Sequence, residues 1–311
     1  MSIAPTMTSI EKRAQMLTIF AAVLVSTSFP IVAAIAHGLD SVVLTLLRFT
    51  LAAVMFAPLV AWKYGIPRPS LKDLGRYGLL SACMVGFFWG MFEALRFTSP
   101  LNTATIFTLT PLIAAGVSAV LLKERLKPRS FVALGIGLIG AVWVIFRGDV
   151  SSLIALDLNR GDAIFLAGTV SMGFYGPLVR HLHRGEPMAQ MSFWILVTGT
   201  GWLLLLALPR LGGVEWAAVP NTVYWGILYL AFFTTLITFF VFQWSTMILG
   251  ATKVMSYTYV NPVLVLIIGL ALGHDLPPAL TYPGLLLVLG ATVVLQTAQP
   301  KAPAKSKASG V

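Results

Sequence analysis

Of 311 residues, 58% are hydrophobic and only 10% are charged, where a soluble domain carries about 25% charged residues. That balance excludes a soluble globular enzyme and predicts an all-α integral membrane protein. A net charge of +10 raises nucleic acid as a partner, so the placement of the charges has to decide; the single cysteine, Cys83, excludes an intrachain disulfide and a cysteine-built zinc cage.

Apolar runs of about 20 residues predict ten transmembrane helices, over 14–36, 41–62, 75–97, 101–122, 130–146, 161–180, 188–208, 222–247, 251–273 and 279–297. Ahead of the first, Lys12 and Arg13 resemble the flank of a signal peptide, and Ala34-Ile35-Ala36 resembles a cleavage site. The apolar region exceeds the 7–15 residues usual for such a segment, so an uncleaved first span is expected. Connections are short, and only Arg147 to Arg160 reads as a real loop. The tail 299–311, rich in Lys, Ala, Ser and Pro, reads as a disordered basic segment attracted to anionic lipid.

Ten spans beginning inside the cell put the Lys and Arg on one side. Of the 21, only Arg96, Arg147, Arg160 and Arg210 fall on the outer side, and Arg48 falls within a span. Positive charge marks cytoplasmic flanks, so both termini are expected in the cytoplasm. The basic balance is then a topology signal and removes nucleic acid as a partner.

Pro111 lies inside span 4 and Pro262 inside span 9, each with an acid further on, Glu124 and Asp275. A proline in a helix removes a backbone hydrogen bond and clashes one turn back, at about 3 kcal/mol. In hydrocarbon such a break is tolerated only where protein or a water-lined cavity satisfies the freed groups. Matching breaks in matching halves point to a central transport site. Pro30 with Pro177, and Gly140 with Gly290, echo at similar offsets. Five spans per half is odd, so the second copy enters the membrane upside down. This predicts a five-plus-five inverted repeat with a first half over 1–147 and a second over 148–298.

Several residues together carry a family resemblance: Leu47-Arg48-Phe49 opening span 2, Glu93-Ala94-Leu95-Arg96-Phe97-Thr98 closing span 3, and Pro111 followed by Lys123-Glu124-Arg125 and a glycine-rich span 5. In this order, and duplicated, they resemble the drug/metabolite transporter superfamily with two EamA-type repeats, most closely its bacterial aromatic amino-acid exporter branch. His274-Asp275 departs from the acid and base that commonly follow Glu there. The resemblance implies an inner-membrane exporter of amino acids or related metabolites, with a cavity walled by spans 1, 3, 4, 6, 8 and 9.

Other motifs read as packing. Gly135-Ile136-Gly137-Leu138-Ile139-Gly140 matches a dinucleotide fingerprint in letters, but lies inside span 5 with no preceding strand. Small residues that let helices approach explain it, as they do Gly86 with Gly90 and Gly269 with Gly273. No GxxxxGK[ST] loop occurs, so the chain does not itself bind ATP that way. His181 and His183 lie among basic residues without a carboxylate or cysteine cluster, a solvated loop and no metal site.

Arg48 and Glu93 both fall roughly 8–12 Å below the outer surface at 1.5 Å per residue. Lone lipid-facing charges are costly. They form a gate or scaffold ion pair, Arg48 bonds helix-end carbonyls, or Glu93 meets a substrate amine or proton while Arg48 attracts a carboxylate. Trp62, Tyr64, Trp143, Trp216, Tyr224 and Trp225 lie near span ends and read as interfacial belts. At depth, Trp89, Tyr175, Tyr257 and Tyr259 either pack or line an aromatic cavity. Ser26, Thr27 and Ser28 before Pro30, with Thr108 and Thr110 beside Pro111, are able to bond their own helices. Gln243 and Asn261 face a cavity or bond between helices.

The expectation is a secondary transporter that exports amino acids, aromatic or otherwise hydrophobic, and related metabolites by alternating access. Ser28, Pro30, Trp89, Glu93, Thr108, Pro111, Tyr175, Gln243, Tyr257, Asn261 and Pro262 are its expected cavity residues, with Arg48 and Glu93 as charge or gate. The partners are a small-molecule substrate and the lipid bilayer. No cofactor, metal or catalytic residue is expected, and monomer and homodimer stay open. Drug or nucleotide-sugar cargo, an intramembrane lipid-modifying enzyme and a passive scaffold are the alternatives.

Overall fold

The computed structural model describes residues 8–66, 68–124, 128–151, 158–273 and 276–298. The expected tail 299–311, His274 with Asp275, and Arg125 lie outside the described residues. Among the described residues every regular element is helical. The first half holds α1 (Ser9–Ile35), α2 (Ser41–Tyr64), α3 (Leu71–Ala94), α4 (Pro100–Phe107), α5 (Thr110–Leu121) and α6 (Pro128–Ile145). The second holds α7 (Arg160–Leu182), α8 (Met188–Leu211), α9 (Asn221–Ala231), α10 (Thr238–Leu249), α11 (Ala251–Met255), α12 (Asn261–Ala271) and α13 (Tyr282–Ala298). Nine stretches among the described residues are long and apolar enough to cross a membrane, and Ala279–Ala291 is a shorter apolar tenth.

Span 1 starts earlier than its apolar run, because the Thr8 hydroxyl accepts from the Glu11 amide while the Glu11 carboxylate accepts from the Thr8 amide. Span 3 starts early for the same reason at Ser70 and Asp73. Outward side chains such as Trp62, Trp225, Leu205 and Val120 are exposed and apolar, as a hydrocarbon solvent requires.

Packing repeats between the halves. Span 3 (α3) packs on span 6 (α7), and span 8 (α9, α10) packs on span 1 (α1). Span 4 packs on span 6 and span 9 on span 1; span 3 on span 7 and span 8 on span 2. Spans 2 and 7, 4 and 9, and 5 and 10 pack on each other. Exchanging each span for its counterpart five places along thus maps these pairs onto one another, as a two-fold relation requires.

Both internal breaks fall where the prolines are. Span 4 divides into α4 and α5 at Thr108 and Leu109, and span 9 into α11 and α12 across a 3-10 stretch, Ser256–Val260. Pro111 and Pro262 stand in the first turn of α5 and α12. There the missing amide costs little, because the first four amides of a helix lack intrahelical partners anyway. The prolines therefore begin second half-helices and do not kink continuous ones. The carbonyl of Phe107, one turn before Pro111, accepts instead from the Thr110 hydroxyl at 2.7 Å.

Glycines set the closest crossings. A Cβ on Gly140 would stand 2.7 Å from the Gly284 carbonyl oxygen, and one on Gly137 would meet the Tyr259 ring. Gly90 faces Gly168 across the span 3 and span 6 crossing. Gly290, the expected echo of Gly140, has open space around it; the structure pairs Gly140 with Gly284.

Candidate functional site

The basic end of the bundle is tied across the halves. Arg76 on α3 donates to the Glu186 carboxylate at 3.1 Å and to Asp73 at 2.7 Å. Arg180 on α7 pairs with Glu124 just after α5, and the Gln190 amide donates to the Tyr64 carbonyl at 3.0 Å. Glu124 is thus a tie between span ends.

The opposite end is tied as well. The Thr98 hydroxyl donates to Asp162 at 2.5 Å, Arg160 stands 4.0 Å from Glu93, and Arg210 lies 3.6 Å from Asp40. The Trp143 indole donates to the Leu280 carbonyl at 2.7 Å. Glu93 accepts from the Ser41 hydroxyl at 2.7 Å and stands 3.9 Å from Arg96. It belongs to this closure and not to a central cavity, because it sits near the C-terminal end of α3 where the chain leaves the bundle.

Between these closures lies a small cavity. Its walls come from α1, α3, α4, α7, the break and second part of span 8, and the start of span 9, with Ser28, Phe88, Phe107, Tyr175, Gln243 and Met255 representing each. These are the six spans expected from the resemblance. Its volume is about 40 Å³, against about 300–1,000 Å³ for ordinary ligand sites. The cavity is closed at both ends and collapsed.

Its lining is aromatic and methionine-rich. Met84, Phe87, Phe88 and Met91 reach it from α3, a spacing of three, one and three that makes one helical face. Phe87 packs at 4.9 Å from Phe107 and 5.1 Å from Phe88, and Tyr175 at 5.7 Å from Phe239, between ring centroids. Gln243 accepts from the Ser192 hydroxyl, and among the described residues neither its Nε2 nor the buried Tyr175 hydroxyl has a partner.

Arg48 is wholly buried immediately behind this wall. Its Nε donates to the Thr235 hydroxyl at 2.6 Å, and its Nη2 donates to the Thr234 hydroxyl at 2.9 Å and carbonyl at 3.2 Å. The guanidinium carbon stands 4.2 Å over the Phe88 ring. Thr234 and Thr235 belong to a π-helical stretch, Phe232–Ile237, inside span 8, a deformation frequent at functional sites. No ion pair joins Arg48 to Glu93; of the alternatives open to these two charges, the structure shows Arg48 bonding a carbonyl and two hydroxyls of span 8.

Of the residues named from the sequence, Ser28, Tyr175 and Gln243 line this cavity. Trp89 does not: it is 39% exposed, because one residue past Phe88 turns about 100° away from the inward face. Pro30 lies instead in a second pocket of about 290 Å³ near the opposite end, with Asn102, Arg147 and Thr281. Thr108 bonds the Thr105 carbonyl at 2.6 Å, and Tyr257 is buried in the 3-10 stretch; neither lines the cavity. The Asn261 side-chain oxygen accepts from the Ser26 hydroxyl at 2.8 Å, an interhelical bond between spans 9 and 1. Pro111 and Pro262 act on the backbone behind the wall. Sequence reasoning missed Phe87, Phe107, Phe239 and the methionines, whose types do not differ from those facing lipid. The stripe 84, 87, 88, 91 was the one available signal.

Known proteins resemble this chain in sequence or in fold. The chain is 28% identical over 246 residues to an uncharacterized transporter, YyaM, of Bacillus subtilis (strain 168), covering 78% of this chain and 80% of that one. It is 22% identical to an uncharacterized inner membrane transporter, YedA, of Escherichia coli (strain K12), covering 83% and 82%. A solved crystal structure, 17% identical, superposes with a TM-score of 0.69 over 91% of this chain and 96% of that chain, and shares the fold. The model of the EamA-like transporter family matches twice, over residues 12–146 and 159–297, one match for each half that the packing exchanges. A twice-repeated five-span unit closed around an aromatic chamber is therefore no accident of composition: the chain belongs to the EamA-like transporter family.

Proposed function

We propose that this transporter is a secondary exporter of small amphipathic metabolites, including amino acids with aromatic or other hydrophobic side chains, working by alternating access. Residues 1–147 and 148–298 act as the two inverted halves, with both termini in the cytoplasm of a cell inner membrane. One observation carries the reading: a chamber between the halves, lined by aromatic rings and a few polar tips and sealed at both ends by bonds that cross from half to half. A membrane carrier passes through such a state between its inward and outward forms. Rings suit an aromatic or aliphatic body, and the polar tips orient it. The breaks at Pro111 and Pro262 are the hinges about which the halves move.

The test is flux of labelled amphipathic metabolites into liposomes that hold the purified protein and no ATP. Saturable uptake above empty liposomes is expected for at least one aromatic cargo. Absence of saturable flux for every aromatic and aliphatic compound tried overturns the reading.

A further inference from the structure

Arg48 is 0% exposed, and among the described residues no carboxylate balances its charge within 4 Å. Arg76 provides the comparison: it too is buried, yet Asp73 and Glu186 both hold it. Removing an ion from water is costly even after relaxation, so an uncompensated arginine at this depth is retained for a reason. Its Nη1 has no hydrogen-bond partner among the described residues, and two groups that hold the rest of it, Phe88 and Thr234, are themselves walls of the central cavity.

The other unpartnered atoms on that wall have the same polarity. Tyr175 presents a hydroxyl, and Gln243 presents an amide Nε2; both are able to donate. Among the described residues no carboxylate lines the cavity. The paired acids among the described residues stand at the two closures: Asp73, Glu124 and Glu186 at one, Asp40 and Glu93 at the other. With Glu93 outside the chamber, an ammonium group has no counter-charge there and meets the field of Arg48.

From this juxtaposition of Arg48 with an acid-free, donor-lined aromatic chamber we infer that the preferred cargo is an aromatic or apolar organic anion, a carboxylate without an ammonium group, whose negative charge Arg48 balances. The inference rests on the transporter reading above and narrows its cargo. Phe88 and Thr234 separate the guanidinium from the collapsed space, so the carboxylate reaches Nη1 as the chamber opens. The rings of Phe87, Phe107 and Phe239 then enclose the body.

Two compounds of matched shape decide it: labelled phenylpyruvate, a monoanion, and labelled phenylalanine, its zwitterionic counterpart. Saturable uptake into liposomes is expected to favour phenylpyruvate by tenfold or more, and an imposed membrane potential is expected to drive it, since a net charge crosses. Arg48→Gln is expected to lose anion flux by at least tenfold, and Arg48→Lys to keep a larger part of it. Should Arg48→Gln fail to yield monodisperse protein, the wild-type preference alone decides. Equal handling of the two compounds, or anion flux unchanged in Arg48→Gln, overturns the inference while leaving a working transporter. Uptake of neither compound, with another aromatic cargo carried, also overturns it; uptake of no cargo at all removes the transporter reading beneath it.

Discussion

Tyr175 and Asn261 are both buried polar side chains, and their neighbours give them different work. Asn261 spends its side-chain oxygen on Ser26, holding span 9 against span 1, whereas the Tyr175 hydroxyl, on the chamber wall, finds no partner among the described residues. A buried hydroxyl left unpaired costs about 1–3 kcal/mol. Tyr175→Phe is therefore expected to leave the melting temperature unchanged or raise it. It should weaken cargo affinity roughly fivefold, the worth of about one hydrogen bond. Thermal unfolding in detergent and the concentration dependence of uptake measure the two effects. Unaltered affinity would take Tyr175 out of the cargo site. Trp89 teaches the converse at this scale: depth along α3 told less than angle around it, and a single step past Phe88 carried the indole to the outside.

At the scale of elements, close crossings and broken spans are set by the smallest and stiffest residues. Gly140 lies against the Gly284 backbone, which has no side chain to swing aside, while Gly135 on the same helix has nothing within 4 Å of an added Cβ. Gly140→Val should accordingly strain the crossing of spans 5 and 10 and destabilise by about 1–3 kcal/mol. Gly135→Ala should be neutral or stabilising by about 0.5–1 kcal/mol, the propensity difference in a helix. Comparing their melting temperatures checks the crossing directly, and equal losses would refute it. Within the six-residue glycine pattern, Gly137 and Gly140 thus follow close helix approach, whereas Gly135 does not. Breaks in spans 4 and 9 follow the same economy, with Thr110 filling the bonding gap that Pro111 opens.

Across the whole molecule, charge is sorted by end. Arg76, Arg180 and Arg184 gather with Glu124 and Glu186 at one end, and Arg160 and Arg210 meet Glu93 and Asp40 at the other. With positive charge held inside, a membrane-impermeant maleimide added to intact cells should label Arg210→Cys in a Cys83→Ser background. It should label Lys63→Cys only after the membrane is opened. The reverse pattern would invert the proposed orientation. The two-fold exchange of packing partners relates the spans of one half to those of the other.

What the sequence determined by itself is the class and the count: apolar runs of membrane length must be helices, because only a helix or a closed barrel satisfies its backbone in lipid. Pro111 and Pro262 marked the two breaks, and paired halves of odd span number made the repeat inverted. Arg48 was legible as a costly charge, though not its setting. The tertiary structure alone decided which side of each helix faces inward, since a span apolar all round carries little amphipathic signal. It placed Phe87, Phe107 and Phe239 at the chamber and Trp89 on the outside of the bundle. It also assigned Glu93 to the closure and left Arg48 beside the cavity without an acid, because the partner of a charge is fixed by packing between distant segments and not by the spacing along either one.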